Sequence, residues 1–116
     1  MGRNQGRNLV IPKATSKSFE LVFKSSTGHA EDITGWRILF TCKKLMEDSD
    51  GEAVITKDIT SHFDALSGKT LIDLTPSDTN LSGSYYYDIK SVDVANNVNI
   101  LFHGRITFRV TVTTRQ

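Results

Sequence analysis

Large apolar side chains fall at every second position through much of this chain. In residues 18–24, Phe19, Leu21 and Phe23 share one phase. Residues 36–43 repeat the pattern: Trp36, Ile38, Phe40 and Cys42 take one face, and Arg37, Thr41 and Lys43 the other, with Leu39 the exception. Residues 85–92 set Tyr85, Tyr87 and Ile89 against Tyr86, Asp88 and Lys90. Residues 53–59 and 70–75 read as two shorter strands. The last run, residues 98–113, carries Ile100 and Phe102 before Gly104, then Ile106, Phe108, Val110 and Val112 after it. Successive side chains of a strand point to opposite sides of its sheet, so this alternation predicts half-buried β-strands. No segment sustains a helical period.

The punctuation agrees. Ser25-Ser26-Thr27-Gly28, Asp48-Ser49-Asp50-Gly51, Ser67-Gly68, Pro76 and Ala95-Asn96-Asn97 end the runs with residues suited to turns. Gly104 is the expected bulge in a long last strand. Short strands at regular spacing predict an all-β, immunoglobulin-like antiparallel β-sandwich of about seven strands. The predicted organisation is a basic extended N-terminal arm over residues 1–17 and one sandwich over residues 18–116, with no internal repeat.

Charge sharpens the picture at one end. The arm holds Arg3, Arg7, Lys13 and Lys17 and no acid, whereas the remaining residues hold ten Lys or Arg against thirteen Asp or Glu. A formal net charge of +1 on 116 residues lacks the basic excess of bulk nucleic-acid binders. No aromatic residue interleaves the arm's cations to stack bases. The arm's only apolar run is Leu9-Val10-Ile11, so it should order only where something holds it, a sandwich edge or a neighbouring subunit. No apolar run approaches the length of a membrane span or a signal peptide, so a soluble product of a cytoplasm is expected.

Leu81-Ser82-Gly83-Ser84-Tyr85 resembles the tyrosine corner of Greek-key sandwiches, in which a Tyr hydroxyl bonds back to the crossover backbone; Tyr85 is the candidate, and Tyr87 shares its phase. A wider pattern runs through Asp32-Ile33-Thr34-Gly35-Trp36-Arg37-Ile38-Leu39-Phe40-Thr41. It continues through Gly68-Lys69-Thr70, Leu74-Thr75-Pro76-Ser77-Asp78-Thr79 and Gly83-Ser84-Tyr85-Tyr86-Tyr87-Asp88-Ile89. It resembles small immunoglobulin-like virion proteins of tailed bacteriophages and is similar to the N-terminal domain of phage baseplate upper proteins. That resemblance implies a structural role in a virion, made in a bacterial host cytoplasm. Its implied partners are baseplate, tail, neck or capsid proteins and copies of the chain itself.

Candidate chemistry is sparse. Ser61-His62-Phe63-Asp64 holds the residue types of a hydrolase triad, but a triad assembles from distant segments. His29, His62 and His103 are scattered, without local zinc spacing. Asp48-Ser49-Asp50-Gly51-Glu52 lacks the remaining ligands of a calcium loop. Cys42 cannot form an internal disulfide and reads as a small buried hydrophobe. The glycosylation pattern Asn80-Leu81-Ser82 is without consequence in a bacterial product. The reading is therefore non-enzymatic, with no catalytic, cofactor or metal residues expected. It describes a virion protein that docks through sandwich edges and its arm, with Arg3, Arg7, Leu9, Val10, Ile11, Lys13 and the outward Tyr86 as partner-binding residues. The alternative is a capsid or tail decoration protein that binds host-surface glycan through exposed aromatic residues.

Overall fold

A computed structural model describes residues 5–6 and 8–110. Eight strands follow one another: β1 (Gln5–Gly6), β2 (Leu9–Pro12), β3 (Lys17–Val22), β4 (Arg37–Lys43), β5 (Ile55–Ile59), β6 (Lys69–Leu74), β7 (Gly83–Val92) and β8 (Val98–Arg109). The main sheet runs β8-β7-β4-β5, all antiparallel, with β1 and β2 lying parallel along the free edge of β8. β3 and β6 form a separate antiparallel pair. The chain thus crosses between the two sheets on entering and leaving β3 and on entering and leaving β6, the arrangement of an immunoglobulin-like sandwich.

The core lies between the sheets and is built from the predicted phases. Ile38, Phe40 and Cys42 of β4 are fully buried, and Tyr85, Tyr87 and Ile89 of β7 nearly so. Phe40 stacks on Tyr87 with ring centroids 5.9 Å apart, and Tyr85 meets Phe108 edge-on at 5.7 Å. Ile72 and Leu74 close the core from the second sheet. Aromatic pairs in these geometries add to what burial alone contributes.

Three expectations change. The segment expected as an arm is part of the sandwich: Leu9–Pro12 is a strand of the main sheet, and Ile11 opposite Phe108 is 1% exposed. A boundary between residues 17 and 18 does not separate arm from sandwich, because burying Ile11 outweighs the polar composition around it. The irregularity of the last strand falls at Leu101, the extra residue between Lys90↔Ile100 and Ile89↔Phe102, while Gly104 pairs normally with Tyr87. Trp36 precedes β4 and packs edge-on against Phe23 at 5.5 Å instead of lying inside the strand. At the β6–β7 crossover, Asp78 accepts the Thr75 N–H and hydroxyl, and Thr79 ties the turn to the segment before β3. Its buried hydroxyl donates to the Thr15 carbonyl at 2.6 Å and accepts the Thr15 N–H at 2.8 Å. The backbone carbonyl of Thr79 takes the N–H groups of Ala14 and Leu81. Tyr85, the tyrosine-corner candidate, contributes its ring to the core.

The expected turns form. Asn96 takes the left-handed conformation, with φ 67°, and Asp93 Oδ1 accepts the N–H groups of Ala95 and Asn97 at 2.9 Å. Gly68 is required where it stands. Its φ is +74°, and a Cβ there would lie 2.5 Å from the Phe23 carbonyl oxygen and 2.6 Å from that of Glu31.

Candidate docking face

His62, Cys42 and the acidic loop, all singled out for chemistry, are occupied by the scaffold. His62 lies between the sheets' ends: Nε2–H donates to the Trp36 carbonyl at 2.9 Å, and Nδ1 accepts the Thr70 hydroxyl at 2.8 Å. With both ring nitrogens engaged, it has none left to serve as a base for Ser61. Cys42 is fully buried, and desolvation pushes its thiol pKa up to about 12, so it carries almost no thiolate at neutral pH. The acidic loop after β4 is held by its own carboxylates: Asp48 accepts the Leu45 N–H, and Glu52 the N–H and hydroxyl of Ser49. No group of three or more His, Cys, Asp or Glu arranged to hold a metal ion occurs among the described residues. No helix among the described residues is long and apolar enough to cross a membrane.

The main sheet's outer face has a different character. Strand register lays it out in rungs across β8, β7 and β4. At the β7–β8 hairpin end stand Val98, Val92 and Arg37, then Ile100, Lys90 and Leu39. His103, Asp88 and Thr41 follow, and then Arg105, Tyr86 and Lys43. The last two rungs, with Leu39, Lys90 and the overhanging Met46, line an open groove of about 400 Å³. Three of its lining residues are Lys or Arg, and Asp88 is its one acid. The Arg105 guanidinium sits 5.7 Å from the centre of the Tyr86 ring, a cation–π contact.

At the β5 side, Arg37 grips Asp58 through two nitrogens, at 2.7 and 3.3 Å. That bond holds the Asp58 carboxyl below its ordinary range and raises Arg37, so the pair stays ionised. One strand position along, Lys57 has the inward phase of edge strand β5 and meets Asp78 at 2.7 Å. An inward-pointing charge on an edge strand discourages another chain from pairing there.

The predicted partner-binding residues divide. Tyr86 lines the groove. Val10, 59% exposed, stands beside Thr107 on the same outer face, one rung beyond Arg105. Ile11 points into the core and Leu9 packs against it, so neither offers its side chain to a partner while β2 is in place. Lys13 is half-buried, and its N–H donates to the Arg109 carbonyl at 2.7 Å. Arg3 and Arg7 lie outside the described residues. Sequence reasoning missed Lys90, His103, Arg105 and Met46. The outward phase of Lys90 was legible, but the register that sets it beside β8 was not.

No family model matches this sequence, and no curated protein matches it. Among solved structures, the chain is similar in fold to the fibronectin(III)-like modules of Clostridium thermocellum CbhA, with a TM-score of 0.41 and 8% identity, over 94% of this chain and 92% of that one. It is also similar to a chain in the structure of ICOS in complex with ICOS-L and an anti ICOS-L VNAR domain. There the TM-score is 0.33 and the identity 11%, over 95% of this chain and 56% of that one.

Proposed function

We propose that this chain is a non-enzymatic structural protein of a bacteriophage virion, which works by docking onto tail, baseplate, neck or capsid proteins. The observation that carries a docking role is the contrast between spent and unspent groups. The cysteine, the central histidine and the loop carboxylates are engaged inside the scaffold, whereas an apolar and cationic sheet face stands in solvent. The bacteriophage setting rests on the sequence resemblance. Mass spectrometry of gradient-purified particles tests it: the chain is expected at a fixed stoichiometry to other virion proteins, and its absence from intact particles overturns the reading.

Docking through the N-terminal segment is tested by substitution. Deleting residues 2–13 removes Ile11 from the core and β2 from the sheet, so that truncation confounds folding with assembly. Val10→Asp and the pair Arg3→Glu and Arg7→Glu leave the core residues intact. They are expected to retain the melting temperature and to lose incorporation into particles. Normal incorporation of both variants overturns the segment's role.

A further inference from the structure

Resting on the docking reading, we propose that the groove on the outer face of the main sheet holds an extended segment of a partner protein. That segment carries apolar, acidic, neutral, acidic and apolar residues in turn at every second position. β7 is the ruler. Its outward positions are Val92, Lys90, Asp88, Tyr86 and Ser84, and such positions recur about every 6.7 Å along a strand. Side chains on one side of an extended segment recur at the same interval, so one laid along β7 presents one side chain to each rung.

Charge fixes the middle of the pattern. Lys90 and the Tyr86–Arg105 pair lie two rungs apart, about 13 Å along the strand, and both line the groove. Among the described residues, no carboxylate forms an ion pair with Lys90 or Arg105. Two acids four residues apart in an extended segment have the same separation. The step of roughly 4.8 Å from β7 to β8 is within the reach of an arginine side chain. Between the two cations stands Asp88, beside His103. Asp88 repels a third acid, so the residue facing it is neutral.

Exposed apolar residues fix the ends. Val98 stands beside Val92 and is 58% exposed. At the other end Ser84 is followed across the sheet by Thr107 and the exposed Val10, and Met46 overhangs the groove at 71% exposure. An apolar side chain at each end of the segment covers these groups. A nucleic acid or an acidic polysaccharide meets Asp88 with uniform negative charge and leaves both ends uncovered. A protein segment supplies all three features, and the pattern reads alike in either chain direction.

The test titrates the isotope-labelled full chain with the blocked peptide Leu-Ser-Glu-Ser-Thr-Ser-Glu-Ser-Leu, followed by NMR. Resonances of Tyr86, Lys90, Val98 and Arg105 are expected to shift and to saturate with a Kd of about a millimolar, since exposed ion pairs are individually weak. Lys90→Glu and Arg105→Glu should each weaken binding about fivefold. The double variant should instead bind the peptide with lysine in place of both glutamates. Glutamate in place of the central threonine should weaken binding about threefold, and Asp88→Asn should remove that difference. Unchanged circular dichroism and melting temperature confirm that each variant is folded. Absence of shifts at on the order of ten millimolar peptide overturns the proposal. So does binding untouched by both charge reversals. A central glutamate that binds as well as threonine overturns it in favour of any polyanion, and shifts seen only with an acidic oligosaccharide overturn it in favour of a glycan. A chain present in purified particles that fails these titrations loses the segment and keeps its docking role. A chain absent from particles that passes them keeps the groove's chemistry and loses its virion setting.

Discussion

The two faces of the main sheet are made by alternate residues of the same strands, yet they meet different surroundings and carry different work. On β4 the inner positions are Ile38, Phe40 and Cys42, each at 0% exposure, while the outer ones are Arg37, Leu39, Thr41 and Lys43. On β7 the inner Tyr85 and Tyr87 alternate with Tyr86, a residue of the same type turned to the groove. Tyr87 stacks on Phe40 and Tyr85 meets Phe108 edge-on, with Lys44 4.8 Å from the Tyr85 ring as well, whereas the Tyr86 ring stands on the outer face beside Arg105. Side-chain type therefore does not decide the role; the direction in which the pleat aims it does.

The comparison can be broken by single substitutions. The largest effect is expected at the centre of the inner face, where Phe40→Ala should cost about 3–5 kcal/mol in urea unfolding. A loss below about 1 kcal/mol would mean that the core is not where the fold places it. A paired test on β2 follows. Ile11→Ala should cost about 2–4 kcal/mol and the adjacent Val10→Ala under about 0.5, because one fills the core and the other faces water. Equal effects would return residues 9–12 to the status of a loose arm.

Thr79→Val should cost about 1–3 kcal/mol by leaving the half-buried Thr15 N–H and carbonyl without their partner, as read by the shift in denaturation midpoint. On the outer face, Tyr86→Ser should change stability by less than about 1 kcal/mol while altering whatever binds there. A larger loss would make Tyr86 a folding residue.

The smallest effect is acid sensitivity. Asp58 is lowered by the Arg37 hydrogen bond, and Asp93 chiefly by the Asn97 N–H. In Asp78 burial pulls upward, but the bonds from Lys57 and Thr75 outweigh it. Carboxyls lowered in the folded state contribute stability that is present above their ordinary value of about 4 and lost as pH falls through the folded values. Unfolding midpoints should therefore be flat from neutral pH down to about 4 and fall below it.

Much of this fold was legible from alternation alone. The phases of β3, β4, β6, β7 and the second half of β8 follow from which residues are apolar, because a strand has two sides and only one can be dry; before the bulge at Leu101, Ile100 shares the sequence phase of Phe102 but stands on the outer face. The turn at Asn96 was legible because few residues tolerate its backbone. The strand at Leu9–Pro12 was not: three apolar residues among polar ones make too weak a local signal, and the strand exists because β8 offers an edge and the core a place for Ile11. Trp36 shares the phase of Phe40 but departs from the strand to meet Phe23, a contact across sequence that no local pattern announces.

By itself the sequence determined that this protein is made of strands, which side of most of them is apolar, and that Tyr86 faces away from the core. It did so because burial and pleat act on neighbouring residues. Only the tertiary structure decided that Tyr86, Lys90, His103 and Arg105 share one groove, that Met46 overhangs it, and that His62 is a pin between Trp36 and Thr70. Those placements depend on the order and register of strands far apart in the chain, and register is a property of pairs, which no single segment encodes.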